Sequence, residues 1–131
     1  AEAEKRGLQP IAKIIAHSAF AQEPAWFTTA PVYAVKKLHE ALGWTPADVD
    51  LYEINEAFAV VTMAAMKDLG ISHDKVNVNG GAGALGHPIG ATGCRISDTL
   101  LHALNARGLK RGIASQCIGG GEATAVAYEL L

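Results

Sequence analysis

Two residues with side chains suited to proton transfer stand in glycine-rich surroundings. His87 lies within a loop from Gly80 to Gly93, and the following Pro88 restricts its backbone to extended conformations. Cys117 comes directly before Ile118 and three consecutive glycines, whose backbone N–H groups can surround an anion. Because imidazole and thiol groups exchange protons near neutral pH, His87 and Cys117 are candidates for acid–base or nucleophilic catalysis.

Each of these residues also has an ordinary structural explanation. A lone histidine is usually a surface or structural residue, and a cysteine in a strand is usually a small buried hydrophobic side chain. Asn55, in the sequence Asn55-Glu56-Ala57-Phe58, can hold a water or an oxyanion with its amide, or it can cap the helix that follows. Cys94 does not stand before a run of glycines as Cys117 does, and we expect it to pack against the interior from a helix. From the residues alone, both explanations stay open for Asn55, His87 and Cys117.

Nucleotide and metal sites are poorly supported by the same motifs. Gly81, Gly83 and Gly86 match the spacing of a dinucleotide-binding loop, but His87 and Pro88 interrupt it before the next helix. No acidic residue ends the following strand, and no phosphate-binding loop with a lysine is present. The cysteines and histidines also lack the spacing of a zinc site. We therefore expect neither a bound nucleotide cofactor nor a metal.

The composition indicates a single globular domain. The chain has 131 residues, half of them hydrophobic, and a formal net charge of −2, which does not favour a nucleic-acid partner. No apolar run is long enough to span a membrane, and no signal peptide is evident. With only two cysteines, a reducing and therefore cytoplasmic location is the expectation.

The elements that must position these residues alternate along the chain. Strands are predicted at residues 11–20, 49–54, 76–79, 112–117 and 123–131. Helices are predicted at residues 31–42, 57–69 and 96–107, the second being apolar on nearly every face and so expected to be buried.

This order, β-α-β-α-β-α-β-β, predicts an α/β fold. We expect a mixed, mostly parallel five-stranded sheet with helices on both faces and one antiparallel pair formed by the last two strands. Sites in such sheets form at strand ends and in the loops that follow them. Asn55, the Gly80–Gly93 loop and Cys117 all lie at such places.

The beginning of the chain reads as the end of a helix. Lys5 and Arg6 stand in its last turn, Gly7 follows as a terminator, and no initiator Met is present. We therefore expect residues 1–6 to be the remnant of a preceding helix in a longer protein. Residues 7–131 would then be one domain of that longer protein.

Three segments together resemble the signatures of thiolases. They are Asn55–Phe58, Asn77–Gly93 with its Gly-His-Pro-Ile-Gly core, and Cys117–Gly121, in the order and at the spacing of that family. The resemblance covers the chain from about Gly7 and implies the C-terminal domain of a thiolase. The related ketoacyl synthases share the fold and a comparable histidine loop, but they lack the cysteine of the last motif.

The resemblance implies a role for each matching residue. Cys117 matches the cysteine that removes the α-proton of an incoming acetyl-CoA, and His87 matches the histidine that activates the nucleophile and binds a thioester oxygen. Asn55 matches the asparagine that holds a water in that oxyanion hole. Gly119 matches the glycine whose N–H helps form a second oxyanion hole, and Phe58 matches an aromatic residue lining the acyl or pantetheine pocket. The nucleophilic cysteine belongs to the family's N-terminal half and has no counterpart here.

One segment departs from the family pattern. Phe27-Thr28-Thr29-Ala30 stands where thiolases often have a methionine followed by a glycine-containing stretch near the substrate. Phe27 is therefore a candidate substrate-binding residue, and the acyl-chain preference stays open. The resemblance also implies CoA thioesters as substrates, no metal or redox cofactor, the protein's own N-terminal domain as a partner, and a homodimer or homotetramer.

The implied function is that of an acyltransferase. It would condense two acetyl-CoA molecules into acetoacetyl-CoA and CoA, or run the reverse thiolysis, and this chain alone would be inactive. The alternatives are a degradative 3-ketoacyl-CoA thiolase of broader chain length and a non-catalytic interaction module. A third alternative is a hydrolase that uses Cys117 and His87 as a nucleophile–base pair.

Overall fold

A computed structural model describes residues 2–131 of the chain. Ala1, which belongs to the predicted helix remnant at residues 1–6, lies outside the described residues. The strands are β1 (Ala12–Ala21), β2 (Leu51–Ile54), β3 (Arg111–Cys117) and β4 (Glu122–Leu130). The α-helices are α1 (Glu2–Lys5), α2 (Ala30–Leu42), α3 (Ala59–Leu69), α4 (Ala82–Leu85) and α5 (Thr92–Arg107).

The strands form one mixed sheet in the order β1-β4-β3-β2. Only β2 and β3 run parallel, whereas β4 is antiparallel to both β3 and β1. The α/β class and the antiparallel pairing of the last two strands are confirmed. The prediction of a mostly parallel sheet is wrong, because the tight link after Cys117 returns the chain beside β3 and β1 then pairs along the far side of β4.

The predicted fifth strand at residues 76–79 does not form. Val76 makes a single parallel bridge to Tyr52, and Asn77 then turns the chain away with a φ of +49°. The Asn77 side chain takes over the pairing: its Oδ1 accepts the Ile54 N–H at 2.9 Å and its Nδ2 donates to the Ile54 carbonyl at 2.9 Å. One side-chain amide thus hydrogen-bonds the N–H and the carbonyl of Ile54 at the edge of β2, where a fifth strand was expected to pair.

Helices cover both faces of the sheet, as predicted. Helices α2 and α3 pack on one face in a core that includes Leu38, Val61 and Ile113. Helix α5 packs on the other face, where Leu100 lies in a second core. Gly112 makes this approach possible, because a Cβ there would come within 2.8 to 2.9 Å of Leu100. Both faces of β3 are therefore buried, which fixes the strand that ends at Cys117.

Helix α3 is less buried than predicted. Only Val61, Thr62, Ala65 and Leu69 are buried, whereas Val60 and Met63 are 55% and 61% exposed. The helix packs on one side only, so its apolar outer face is uncovered. No helix in residues 2–131 is long and apolar enough to cross a membrane.

Candidate active site

Asn55 continues the pairing of β2 one residue beyond its end. Its backbone N–H donates to the Ser115 carbonyl at 2.9 Å, and only 1% of the residue is exposed. Helix α3 begins at Ala59 with Phe58 as its N-cap. Asn55 is therefore too far from the helix to cap it, and that interpretation is wrong. Its side chain instead contacts His87 in the neighbouring loop.

His87 lies in the loop between α4 and α5, and its side chain makes two contacts. Its Nδ1 lies 2.6 Å from Thr92 Oγ1, and its Nε2 lies 3.4 Å from Asn55 Nδ2. Thr92 is fully buried at the start of α5. The imidazole thus contacts the start of α5 through Nδ1 and the residue after β2 through Nε2, although His87 itself is exposed to solvent.

Glu56 anchors the glycine-rich loop, a role that the sequence analysis missed. Its Oε2 accepts the Gly83 N–H at 2.8 Å, and its Oε1 lies 3.4 Å from Asn77 Nδ2. A Cβ at Gly81 would overlap the Glu56 carboxylate, so glycine is required there by close approach. Glu56 stands directly after the candidate residue Asn55, which indicated that it lies near the site. The sequence did not indicate which segment its carboxylate would bind.

Cys117 ends β3 and begins a tight turn. The turn is closed by the Ile118 N–H donating to the Glu122 carbonyl at 2.8 Å and by the Gly121 N–H donating to the Ile118 carbonyl at 3.1 Å. Gly119 lies at the exposed tip, with open space beside its Cα. Burial raises the pKa of the half-buried Cys117 thiol, so the resting group is protonated at neutral pH.

The separate segments meet at one open cleft of about 420 Å³. Its lining includes five of the six residues predicted from the sequence: Phe27, Phe58, His87, Cys117 and Gly119. The sixth, Asn55, lies behind the cleft in contact with His87. An imidazole, a thiol and a glycine turn thus face one space, which is the arrangement needed to move a proton beside a stabilised oxyanion.

Two aromatic side chains line this cleft. Phe27 comes from the turn before α2 and Phe58 from the start of α3, and their rings meet edge to face at 6.2 Å and 66°. Phe27 stands in the segment that departs from the thiolase pattern. Because Phe27 lines the cleft and contacts Phe58, this departure from the family pattern lies in the wall of the cleft.

Cys94 does not contribute to this cleft. It lies on α5, where it is exposed rather than packed, so the packing prediction is wrong. Over the described residues, no three or more His, Cys, Asp or Glu side chains are arranged to hold a metal ion.

A buried pair of charged residues lies behind Asn55. Glu53 is 2% exposed, and its Oε2 lies 3.6 Å from Arg95 Nη1, while Arg95 Nη2 donates to Asn55 Oδ1 at 3.3 Å. Burial raises the pKa of Glu53 to about 7; the Arg95 charge opposes this shift and the Glu56 charge adds to it. Neither Glu53 nor Arg95 was singled out from the sequence, since nothing local indicates that β2 and α5 bring them together.

The raised pKa of Glu53 predicts that stability falls with increasing pH. Between its ordinary value of 4.5 and about 7, the folded chain binds a proton that the unfolded chain has lost, so the free energy of unfolding decreases. The expected decrease is about 3 kcal/mol. Urea unfolding on either side of this range should show it in the parent and not in Glu53→Gln. The matched change Glu40→Gln, at an exposed carboxyl on α2, should leave the decrease in place.

Comparison with known protein families identifies the class of protein to which this fold and cleft belong. The sequence model of the family described as "Thiolase, C-terminal domain" matches residues 8–130. The chain therefore belongs to the thiolase C-terminal domain family.

The similar proteins extend well beyond this chain. The cytosolic acetyl-CoA acetyltransferase of Mus musculus is 50% identical over 128 residues, which are 98% of this chain and 32% of that protein. The probable acetyl-CoA acetyltransferase of Dictyostelium discoideum is 52% identical over 129 residues, 98% of this chain and 31% of that protein. This chain thus spans about a third of the length of the relatives it matches.

Solved structures show the same relation. The acetyl-CoA acetyltransferase of Bacillus anthracis superposes with a TM-score of 0.95 at 46% identity, covering 99% of this chain and 33% of that one. The Acat5 thiolase of Ascaris suum, solved with coenzyme A, superposes with a TM-score of 0.91 at 45% identity, covering 98% of this chain and 33% of that one.

Proposed function

We propose that this chain is the C-terminal catalytic domain of an acetyl-CoA acetyltransferase. The enzyme would condense two acetyl-CoA molecules into acetoacetyl-CoA and CoA, or run the reverse thiolysis. The observation that carries the proposal is the meeting of His87, Cys117 and the Gly119 turn at one cleft in a thiolase-family domain. The names of the relatives support the acetyl substrate.

The first half-reaction would transfer an acetyl group to a cysteine of the N-terminal domain. His87 takes the proton of that thiol, the thiolate attacks the acetyl carbonyl carbon, and a new C–S bond replaces the bond to CoA. The CoA thiolate leaves with the proton returned from His87. While the carbonyl oxygen carries negative charge, it lies near donors supplied by His87 and by a water held at Asn55.

The second half-reaction would form the carbon–carbon bond. His87, neutral again after the first half-reaction, takes the thiol proton of Cys117 in the cleft that both residues line. The Cys117 thiolate then takes an α-proton from a second acetyl-CoA, which restores the thiol, and the resulting enolate attacks the acetyl group on the nucleophilic cysteine. That cysteine leaves as a thiolate and takes back the proton held by His87, and acetoacetyl-CoA is formed. Because the resting Cys117 is protonated, the same group is equally suited to donate its proton in the thiolysis direction. This chemistry requires no metal or redox cofactor.

The uncovered face of α3 supports docking of the protein's own N-terminal domain. Val60, Met63, Met66 and Ile71 line an apolar groove there. Exposed apolar surface of this kind usually marks an interface. The relatives are about three times as long as the segment that this chain matches, and the matching family is that of a C-terminal domain, so the partner we propose is the N-terminal domain. We also propose a homodimer or homotetramer and a cytoplasmic location, the latter supported by the cytosolic mouse relative.

The isolated chain should lack thiolase activity, since Cys94 is exposed on α5 and Cys117 is assigned to proton transfer. The test compares thiolysis of acetoacetyl-CoA by this chain and by the full-length protein that carries it. We expect turnover only in the full-length protein, and self-association of the chain alone in sedimentation. Activity of the chain alone near that of the full-length protein would exclude the assignment.

The same assay distinguishes the alternative functions. Equal or faster thiolysis of long 3-ketoacyl-CoA substrates would identify a degradative thiolase of broader chain length. A full-length protein without turnover would be an interaction module. An acyl adduct on Cys117 itself, released by water, would indicate a cysteine hydrolase.

Replacing Asn55 by aspartate should lower turnover about tenfold or more, on the order of 1.4 kcal/mol. The carboxylate removes the Nδ2 donor that lies 3.4 Å from His87 Nε2 and places a negative charge where an oxyanion must form. The free energy of unfolding should change little, because the new carboxylate retains an oxygen for Arg95. Full turnover in Asn55→Asp, measured beside urea unfolding, would leave Asn55 without a catalytic role.

A further inference from the structure

The orientation of the Asn55 amide is fixed from behind the cleft. A guanidinium group only donates hydrogen bonds, so the Asn55 atom that faces Arg95 Nη2 at 3.3 Å must be the carbonyl oxygen. The amide nitrogen is then directed to His87 Nε2, 3.4 Å away. Arg95 thus determines which end of the Asn55 amide His87 meets.

This orientation determines where His87 carries its proton. An amide nitrogen only donates, so neutral His87 must accept at Nε2 and hold its proton at Nδ1. Thr92 Oγ1, 2.6 Å from Nδ1, can accept that proton's hydrogen bond. The result is an imidazole whose basic nitrogen is unprotonated on the side of Asn55 and the cleft.

Glu53 holds Arg95 in place. The two side chains are 2% and 17% exposed, and apart from Arg95 Nη2 their charged atoms have no hydrogen-bond partner among the described residues. Above pH about 7, where Glu53 is ionised, both side chains are charged; a buried charge without a partner is costly, so each residue holds the other in place. The pair bridges β2, which leads directly into Asn55, to α5, which begins at Thr92. The pair therefore helps to hold both residues that contact the His87 ring, Asn55 and Thr92.

We propose that Arg95, held by Glu53, is a positioning residue that orients the Asn55 amide and so keeps His87 in the Nδ1–H tautomer. If Arg95 is lost, the amide can rotate, its oxygen can accept from Nε2–H, and the second tautomer becomes accessible. The catalytic consequence rests on the proposed function, whereas the tautomer is a property of the fold alone.

The test reads the tautomer directly in the full-length protein. Histidine rings are labelled with ¹⁵N, and magic-angle-spinning NMR distinguishes protonated from unprotonated ring nitrogens. The His87 signals are identified by their loss in His87→Gln. The variants are Arg95→Gln, the conservative Arg95→Lys, and Arg107→Gln as a control on the exposed end of α5.

At a pH where His87 is neutral, we expect Nδ1–H in the parent and in Arg107→Gln. Arg95→Gln should show a substantial Nε2–H population, and Arg95→Lys should restore part of the Nδ1–H form. An Nε2–H tautomer in the parent overturns the proposal without any variant, even if Arg95→Gln fails to fold. An unchanged tautomer in a folded Arg95→Gln also overturns it.

Kinetics separates this inference from the proposed function. If the full-length protein is a thiolase, Arg95→Gln should lower kcat by up to about 10²-fold with a smaller change in KM, and Arg95→Lys should recover part of the loss. If the protein has no thiolase activity but the tautomer depends on Arg95 as described, the proposed function fails and the positioning role stands. If the protein is active and the tautomer does not depend on Arg95, the positioning role fails alone.

Discussion

His87→Ala should slow acylation and condensation alike, by about 10³-fold or more. The change removes a general base, typically 10²- to 10⁴-fold, and an oxyanion donor, typically 10²- to 10³-fold. These losses do not simply add, because the two functions belong to one side chain. The free energy of unfolding should change little, since His87 is an exposed loop residue with one short contact, to Thr92. Single-turnover acylation of the full-length protein measures the effect.

A second substitution separates the two functions of His87. His87→Asn can restore a hydrogen-bond donor but not a base, so it should recover only part of the rate. If both variants acylate as fast as the parent, His87 is structural, and the functional interpretation of the Gly80–Gly93 loop fails with it.

Cys117→Ala should stop condensation while leaving acylation in place. The thiol faces the cleft that His87 also lines, yet it belongs to a separate turn, so its loss should not disturb the first half-reaction. Removal of a general acid–base group predicts a loss of about 10²- to 10⁴-fold in condensation. The acetylated enzyme should then accumulate, which intact-protein mass spectrometry measures directly.

Cys94 provides a matched control for this experiment. It is exposed on α5 and is absent from the lining of the cleft, so Cys94→Ala should retain both half-reactions. Loss of acylation in Cys117→Ala, with Cys94→Ala normal, would make Cys117 the acyl carrier and reverse the assignment.

Local sequence marks part of the candidate site. The glycine-rich neighbours of His87 and Cys117 make these two residues candidates, and the alternation of strands and helices places them at strand ends or in the loops that follow. Their roles, and the choice of Phe27, Phe58 and Gly119, came from the resemblance to thiolases. The boundaries of β1, β3 and α2 were predicted to within about one residue, since each has a clear apolar pattern and a distinct terminator.

The remaining features depend on contacts between distant segments. Asn77 ends a predicted strand because its own amide pairs with Ile54, which no periodicity reveals. Helix α3 is apolar all round, yet one side is exposed in this chain. The contact of Glu53 with Arg95 joins β2 to α5 across a long stretch of sequence, so neither residue is conspicuous in its own surroundings.

The most direct test of the account is exchange of the acetyl-CoA methyl protons in D₂O. In the full-length protein that carries this sequence, proton removal by Cys117 should place deuterium in the methyl group, detected by mass spectrometry or NMR. Cys117→Ala should abolish the exchange while the enzyme is still acetylated. Exchange that survives in an acetylation-deficient Cys117→Ala would contradict the assignment of Cys117 as the acid–base group.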